Sequence, residues 1–121
     1  MEGMKEKPRI YVAGPYTTGD VAMNVRKALD IVNYIANRGL VPFWPHHSHF
    51  WHLIHPHPYE FWMNLDFAWL PLCHAMVRIE GESSGADREV QRAYELGIPV
   101  CSIKGMDGES LNTLDAFLSS L

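Results

Sequence analysis

Apolar and polar positions fall in blocks along this chain, and the blocks predict strands and helices in turn. Residues 9–13 are mostly apolar without a two-residue rhythm, as expected of a strand buried on both faces. Gly14-Pro15 ends that strand. Asp20 is placed to cap a helix whose apolar positions Val21, Val25, Ala28, Leu29, Val32 and Ala36 share one 3.6-residue stripe, and Gly39 stops it. Residues 40–44 read as a short second strand, where Pro42 predicts an edge position. After a long excursion the pattern predicts a helix over about 59–72, a strand over 75–79, a helix over about 86–96 closed by Gly97, and a strand over 98–102. Leu111, Leu114, Phe117, Leu118 and Leu121 mark a last helix.

Strands alternating with helices predict an α/β fold with a parallel sheet of four to five strands, covered on both faces. Right-handed crossovers leave few arrangements, and 2-1-3-4 is the expected order. The switch point then lies between the first and third strands, where open parallel sheets bind ligands. No repeat or linker interrupts the pattern, so residues 1–121 are read as one domain. With 47% hydrophobic and 20% charged residues the composition is that of an ordinary globular protein. A formal charge of −4 without a Lys/Arg cluster argues against a nucleic-acid polymer as partner, though not against a single nucleotide. No apolar run reaches the length of a membrane span. Met1 to Lys7 is charged and lacks an apolar signal core, so the cytoplasm is the expected compartment. Cys73 and Cys101 read as reduced, buried thiols.

Two small-residue turns should meet at the carboxyl ends of the strands. One is Gly14-Pro15, followed by the hydroxyls of Tyr16, Thr17 and Thr18. The other is Ser83-Ser84-Gly85, which offers backbone N–H groups to an anion and carries Glu89 one helical turn further on. Ser84 is the expected N-cap, with Asp87 completing a capping box. The plainer reading of Glu89 is an exposed i,i+3 pair with Arg92. Asp66 and Glu60 are the only formally charged residues between Leu40 and Met76. On a helix Asp66 shares its face with Trp62, Met63, Trp69 and Leu70, so its pKa should rise, as a general acid requires. The plainer alternative is an Asp tipped toward solvent. Tyr11 lies in the first strand beside the switch point, where most tyrosines are core residues with a satisfied hydroxyl.

Trp44 and His46 open a segment holding six of the seven histidines, at 46, 47, 49, 52, 55 and 57. Three imidazoles can hold zinc. Yet the segment has no Cys, its prolines constrain it, and Phe and Trp are interleaved. A mobile aromatic lid over a base-shaped pocket, with Trp44 and His46 on the substrate, is the preferred reading, and no metal site is assigned.

Ile10-Tyr11-Val12-Ala13-Gly14-Pro15, Asp66, and Ser83-x-Gly85-Ala86-x-x-Glu89 followed by Ala93 and Leu96-Gly97-Ile98-Pro99-Val100 together resemble the nucleoside 2-deoxyribosyltransferases and the related deoxynucleoside 5′-monophosphate N-glycosidases. The resemblance spans about residues 9 to 101. It implies a Rossmann-like or flavodoxin-like fold, cleavage of the bond between base and deoxyribose, no cofactor, and a homo-oligomer, dimer or tetramer. By position Glu89 resembles the nucleophile, Asp66 the carboxylate that moves protons to and from the base, and Tyr11 the tyrosine that orients the nucleophile. Ser83 resembles the serine that helps the monophosphate hydrolases bind phosphate. Gly14, Pro15, Tyr16, Ser84 and Gly85 are expected beside it on a small nucleoside or nucleotide. On physical grounds too, Glu89 near a helix N-terminus should stay ionised, while Asp66 in its aromatic setting can hold a proton. Cleavage of another N-riboside, such as a nicotinamide dinucleotide, and a non-catalytic nucleotide sensor are the competing readings.

Overall fold

A computed structural model describes residues 6–121; residues 1–5, and with them most of the charged start read as lacking a signal core, lie outside the described residues. In chain order the elements are β1 (Arg9–Ala13), α1 (Val21–Asn37), β2 (Val41–Phe43), a 3-10 turn (Pro45–Ser48) and α2 (His49–Ile54). Then follow α3 (Tyr59–Trp69), a second 3-10 turn (Leu70–Leu72), β3 (Ala75–Ile79), α4 (Ser84–Glu95), β4 (Val100–Ile103) and α5 (Gly108–Ser119). The four strands form one parallel sheet in the order β2-β1-β3-β4, as the alternation of elements predicted. In register, Tyr11 lies opposite Phe43 on one side and Met76 on the other. Pro42 is in the edge strand, where a missing N–H costs least.

Alternation along the strands divides the interior into two layers. Ile10, Val12, Val77 and Ile79 turn toward Ile31 and Ile35 of α1 and Leu114 of α5. Tyr11, Ala13 and Met76 turn the other way, onto Ala86 and Ala93 of α4 and Leu70 at the end of α3. Three of the helices are launched by a side-chain cap: Asp20 accepts from Met23 N–H, Ser83 from Ala86 N–H and Asp107 from Ser110 N–H in α1, α4 and α5.

Several boundaries differ from the sequence reading for local reasons. β4 starts at Val100 because the Ile98 N–H closes α4 on Ala93 O and Pro99 has no N–H to give. Pro71 ends α3 at Trp69 and leaves a 3-10 turn in place of its last residues. The excursion after β2 contains a folded helix, α2. Gly81, at φ +138°, has Pro15 Cγ 2.6 Å from where a Cβ would stand, so the turns after β1 and β3 press together. No helix among the described residues is long and apolar enough to cross a membrane.

Candidate active site

The carboxyl ends of β1 and β3, the neighbours at which the strand order reverses, open on a cavity of about 290 Å³. The turn after β1 supplies Gly14, Tyr16, Thr17 and Thr18 to its wall, and the segment after β2 supplies His46. Asp66 enters from α3, and Ser83, Ser84, Gly85 and Glu89 enter from α4 and the turn before it. The two acidic residues singled out in the sequence therefore face one space.

Glu89 is only 4% exposed. The i,i+3 pair with Arg92 does not form: Arg92 pairs with Glu95 at 3.6 Å and lies over the Phe67 ring. The Tyr11 hydroxyl donates to Glu89 Oε2 instead, linking β1 to α4. Burial pushes the Glu89 carboxyl up to about 8, with the Tyr11 hydrogen bond pulling it down and the Asp66 charge raising it. This corrects the expectation of a carboxylate held ionised by the helix N-terminus. Glu89 is in the second turn of α4, beyond the reach of the helix dipole, and desolvation dominates. Burial and the two neighbouring carboxylates raise the Tyr11 phenol well above its ordinary range, so it remains a donor.

Asp66 is 7% exposed, and burial raises it to about 7. It is turned into the molecule, not tipped toward solvent. Because the two acids interact, they titrate as a pair, which holds about one proton between about pH 7 and pH 8.

The N-cap of α4 is Ser83 and not Ser84: Ser83 Oγ accepts from Ala86 N–H at 3.1 Å, which leaves its own proton free to donate. Asp87 consequently falls outside a capping box and pairs with Arg78 at 3.0 Å. Gly85 lines the cavity and also lets α3 approach, since a Cβ there would meet Tyr59 Oη at 3.3 Å and Met63 Sδ at 3.5 Å.

The histidines are spread through an aromatic wall. Trp62 Nε1–H donates to His52 Nδ1 at 2.9 Å, His57 stacks on Phe61, and Tyr16 Oη shares a 2.6 Å hydrogen bond with His49 Nδ1. Among the described residues no three His, Cys, Asp or Glu side chains converge as a metal site would require. His46 is buried, which lowers its pKa and keeps it neutral; its Nε2–H donates to Pro15 O at 2.7 Å, and its Nδ1 has no partner among the described residues. Trp44 and Pro15 do not line this cavity. Trp44 packs against the α1/α5 layer, and Pro15 borders a second space of about 200 Å³ across His46 and Gly14. Arg78, buried at the end of β3, escaped the sequence reading; its one signal was a cation in an otherwise apolar run.

Residues 8–103, from the approach to β1 through the end of β4, match the family model described as Domain of unknown function (DUF7768). The chain belongs to that family. All the cavity residues named above lie within the DUF7768 match. Among solved structures the chain is similar to a 2-deoxyribosyltransferase from the psychrotolerant bacterium Bacillus psychrosaccharolyticus. The TM-score is 0.58 at 21% identity, over 78% of this chain and 71% of that one. At that identity the likeness establishes the shared α/β fold. No curated protein matches the chain.

Proposed function

We propose that this protein breaks the N-glycosidic bond of a (deoxy)nucleoside or its 5′-monophosphate, with Glu89 as nucleophile, Asp66 as acid and base, and Tyr11 orienting Glu89. One observation carries this reading: two buried carboxylates, both with raised pKa values, face a single cavity at the switch point, one of them held by a tyrosine. The fold likeness to a 2-deoxyribosyltransferase supports the same chemistry.

In the first step a Glu89 carboxylate oxygen bonds to C1′ as the C1′–N bond breaks, and the Asp66 proton passes to the departing base nitrogen. A carboxylate close to C1′ stabilises the cationic character that develops there, and a protonated base leaves far more readily than an anion. In the second step Asp66, now ionised, takes a proton from water or from an incoming base. That nucleophile bonds to C1′, the C1′–Glu89 bond breaks, and both acids return to their starting states. The reactive arrangement has the proton on Asp66 and is the less populated of the pair's two one-proton forms, since Glu89 is raised the further. Activity therefore falls on the acidic side, where Glu89 gains a proton, and on the alkaline side, where Asp66 loses its own.

Ser83, with its unspent proton, and the N–H groups that open α4 are suited to a 5′-phosphate, which favours the monophosphate as substrate. Phe50, Leu53 and Ile54 stand exposed on α2, and a second copy of this chain is their proposed cover. The test of the reaction is incubation with deoxynucleosides and their monophosphates, with and without a free acceptor base. Release of base in the absence of acceptor identifies a hydrolase and exchanged base a transferase. Binding of a nucleotide with neither release nor exchange would replace the enzyme by a sensor.

A further inference from the structure

We propose that Arg78 is a positioning residue for Glu89, pinning the turn between β3 and α4 and keeping a buried positive charge on the Glu89 side of the sheet. This deepens the proposed function and rests on Glu89 being the nucleophile. Arg78 is the only charged residue of β3 and is 8% exposed. Strand alternation sends it to the face of Met76 and Tyr11, where α4 packs, while Val77 and Ile79 go to the other layer. A guanidinium in such a place needs acceptors for its fixed fork of donors. Nη1 donates to Ile79 O, and Nη2 donates to Gly81 O at 2.9 Å and to Asp87 Oδ1 at 3.0 Å.

Those acceptors belong to the last residue of β3, to the turn, and to the first turn of α4. One planar group thus ties together three successive pieces of chain, and the stretch between its anchors carries Ser83, Ser84 and Gly85. Pro15 presses on the same turn at Gly81. Lysine could supply the charge but not the fork.

The charge has a second consequence. Four ionisable neighbours act on Glu89: Tyr11 from β1, Asp66 from α3, Arg78 from β3 and Arg88 from its own helix. Burial and Asp66 oppose ionisation of Glu89, whereas Tyr11, Arg78 and Arg88 favour it. Arg88 is engaged outside, with Glu60 at 2.8 Å, and its side chain is 41% exposed against 10% for Arg78. Solvent screens Arg88 the more, so Arg78 is the cation that counts.

The test compares wild type with Arg78→Gln, Arg78→Lys and Asp87→Asn, by carboxyl NMR titration of Glu89, the pH profile of kcat, and thermal melting. Arg78→Gln should raise the Glu89 midpoint by about half a unit or more and move a limb of the kcat profile with it. Arg78→Lys should keep the midpoint near wild type while lowering the melting temperature, because charge is retained and the fork is lost. Asp87→Asn, which leaves the guanidinium in place, should not raise the midpoint. Loss of stability and rate in Arg78→Gln with an unmoved midpoint and an unmoved limb would make Arg78 merely structural and overturn the inference, leaving the reaction untouched. A midpoint that moves in a protein releasing no base from any nucleoside would sustain the hold of Arg78 on Glu89 and sink the reaction instead.

Discussion

The two faces of the sheet are made by the same strands and the same alternation, yet they use burial for opposite ends. Toward α1 and α5, Ile10, Val12, Val77 and Ile79 meet Ile31, Ile35 and Leu114, and the cluster is apolar throughout. Each such side chain contributes roughly 1.5 to 3 kcal/mol by leaving water. Toward α3 and α4, β1 and β3 present Tyr11 and Arg78, and the helices bring Asp66 and Glu89 against them. There burial raises the free energy of two carboxylates and makes them reactive near neutral pH. One face supplies the stability that the other gives up.

The contrast is broken most severely at Glu89. Glu89→Ala should lower kcat for base release or exchange at least about a thousandfold while the circular dichroism spectrum stays native. Near-normal turnover in that variant would return Glu89 to the structural residues. The matching change on the other face is Ile31→Ala, at a fully buried position. It should cost about 2 to 5 kcal/mol in denaturant unfolding. Its kcat, corrected for the folded fraction, should stay within about twofold of wild type; a large loss would mean that the two layers are not separable.

How much of this contrast can be read from residue order alone depends on the residue. Gly14-Pro15 after one apolar run and Ser83-Ser84-Gly85 after another locate the strand ends, and the regular alternation of elements leads to the observed order. Glu89 was visible as an acid near a helix start. Its bond to Tyr11 joins residues far apart in the chain, and only the family resemblance pointed to it. The one-residue shift of the cap from Ser84 to Ser83 was hidden because adjacent serines are equally good caps. α2 was missed because its His and Trp residues make no clean 3.6-residue stripe. Trp44 looked like a ligand platform through its aromatic neighbours, but at the end of β2 it packs on the α1 side. Arg78 hid in plain view, since a cation near a strand end ordinarily reaches solvent.

Smaller changes sharpen the comparison. Tyr11→Phe removes one hydrogen bond to the Glu89 carboxylate, for an expected drop in kcat of about ten- to a hundredfold and a limb of the pH profile displaced upward. An unchanged limb would deny Tyr11 its hold on the carboxylate. Glu89→Gln should stabilise the fold. The Glu89 pKa is raised to about 8 in the native state, above its ordinary value of 4.5, so the native state holds the extra proton. Its contribution to stability is then full below the ordinary value and is lost as pH rises through about 8. The gain from Gln should be largest above about pH 8 and shrink toward nothing at about pH 4. A gain independent of pH would place its origin outside the carboxylate.

The most direct test of two acids dividing one reaction uses Asp66→Asn and a nucleoside whose leaving group departs without protonation. That variant should release the first leaving group and then stall, because water is no longer activated. Acid quenching and peptide mapping should find one (deoxy)ribosyl group on the peptide that contains Glu89. Continued turnover with no sugar on Glu89, or a sugar on another residue, would contradict the account.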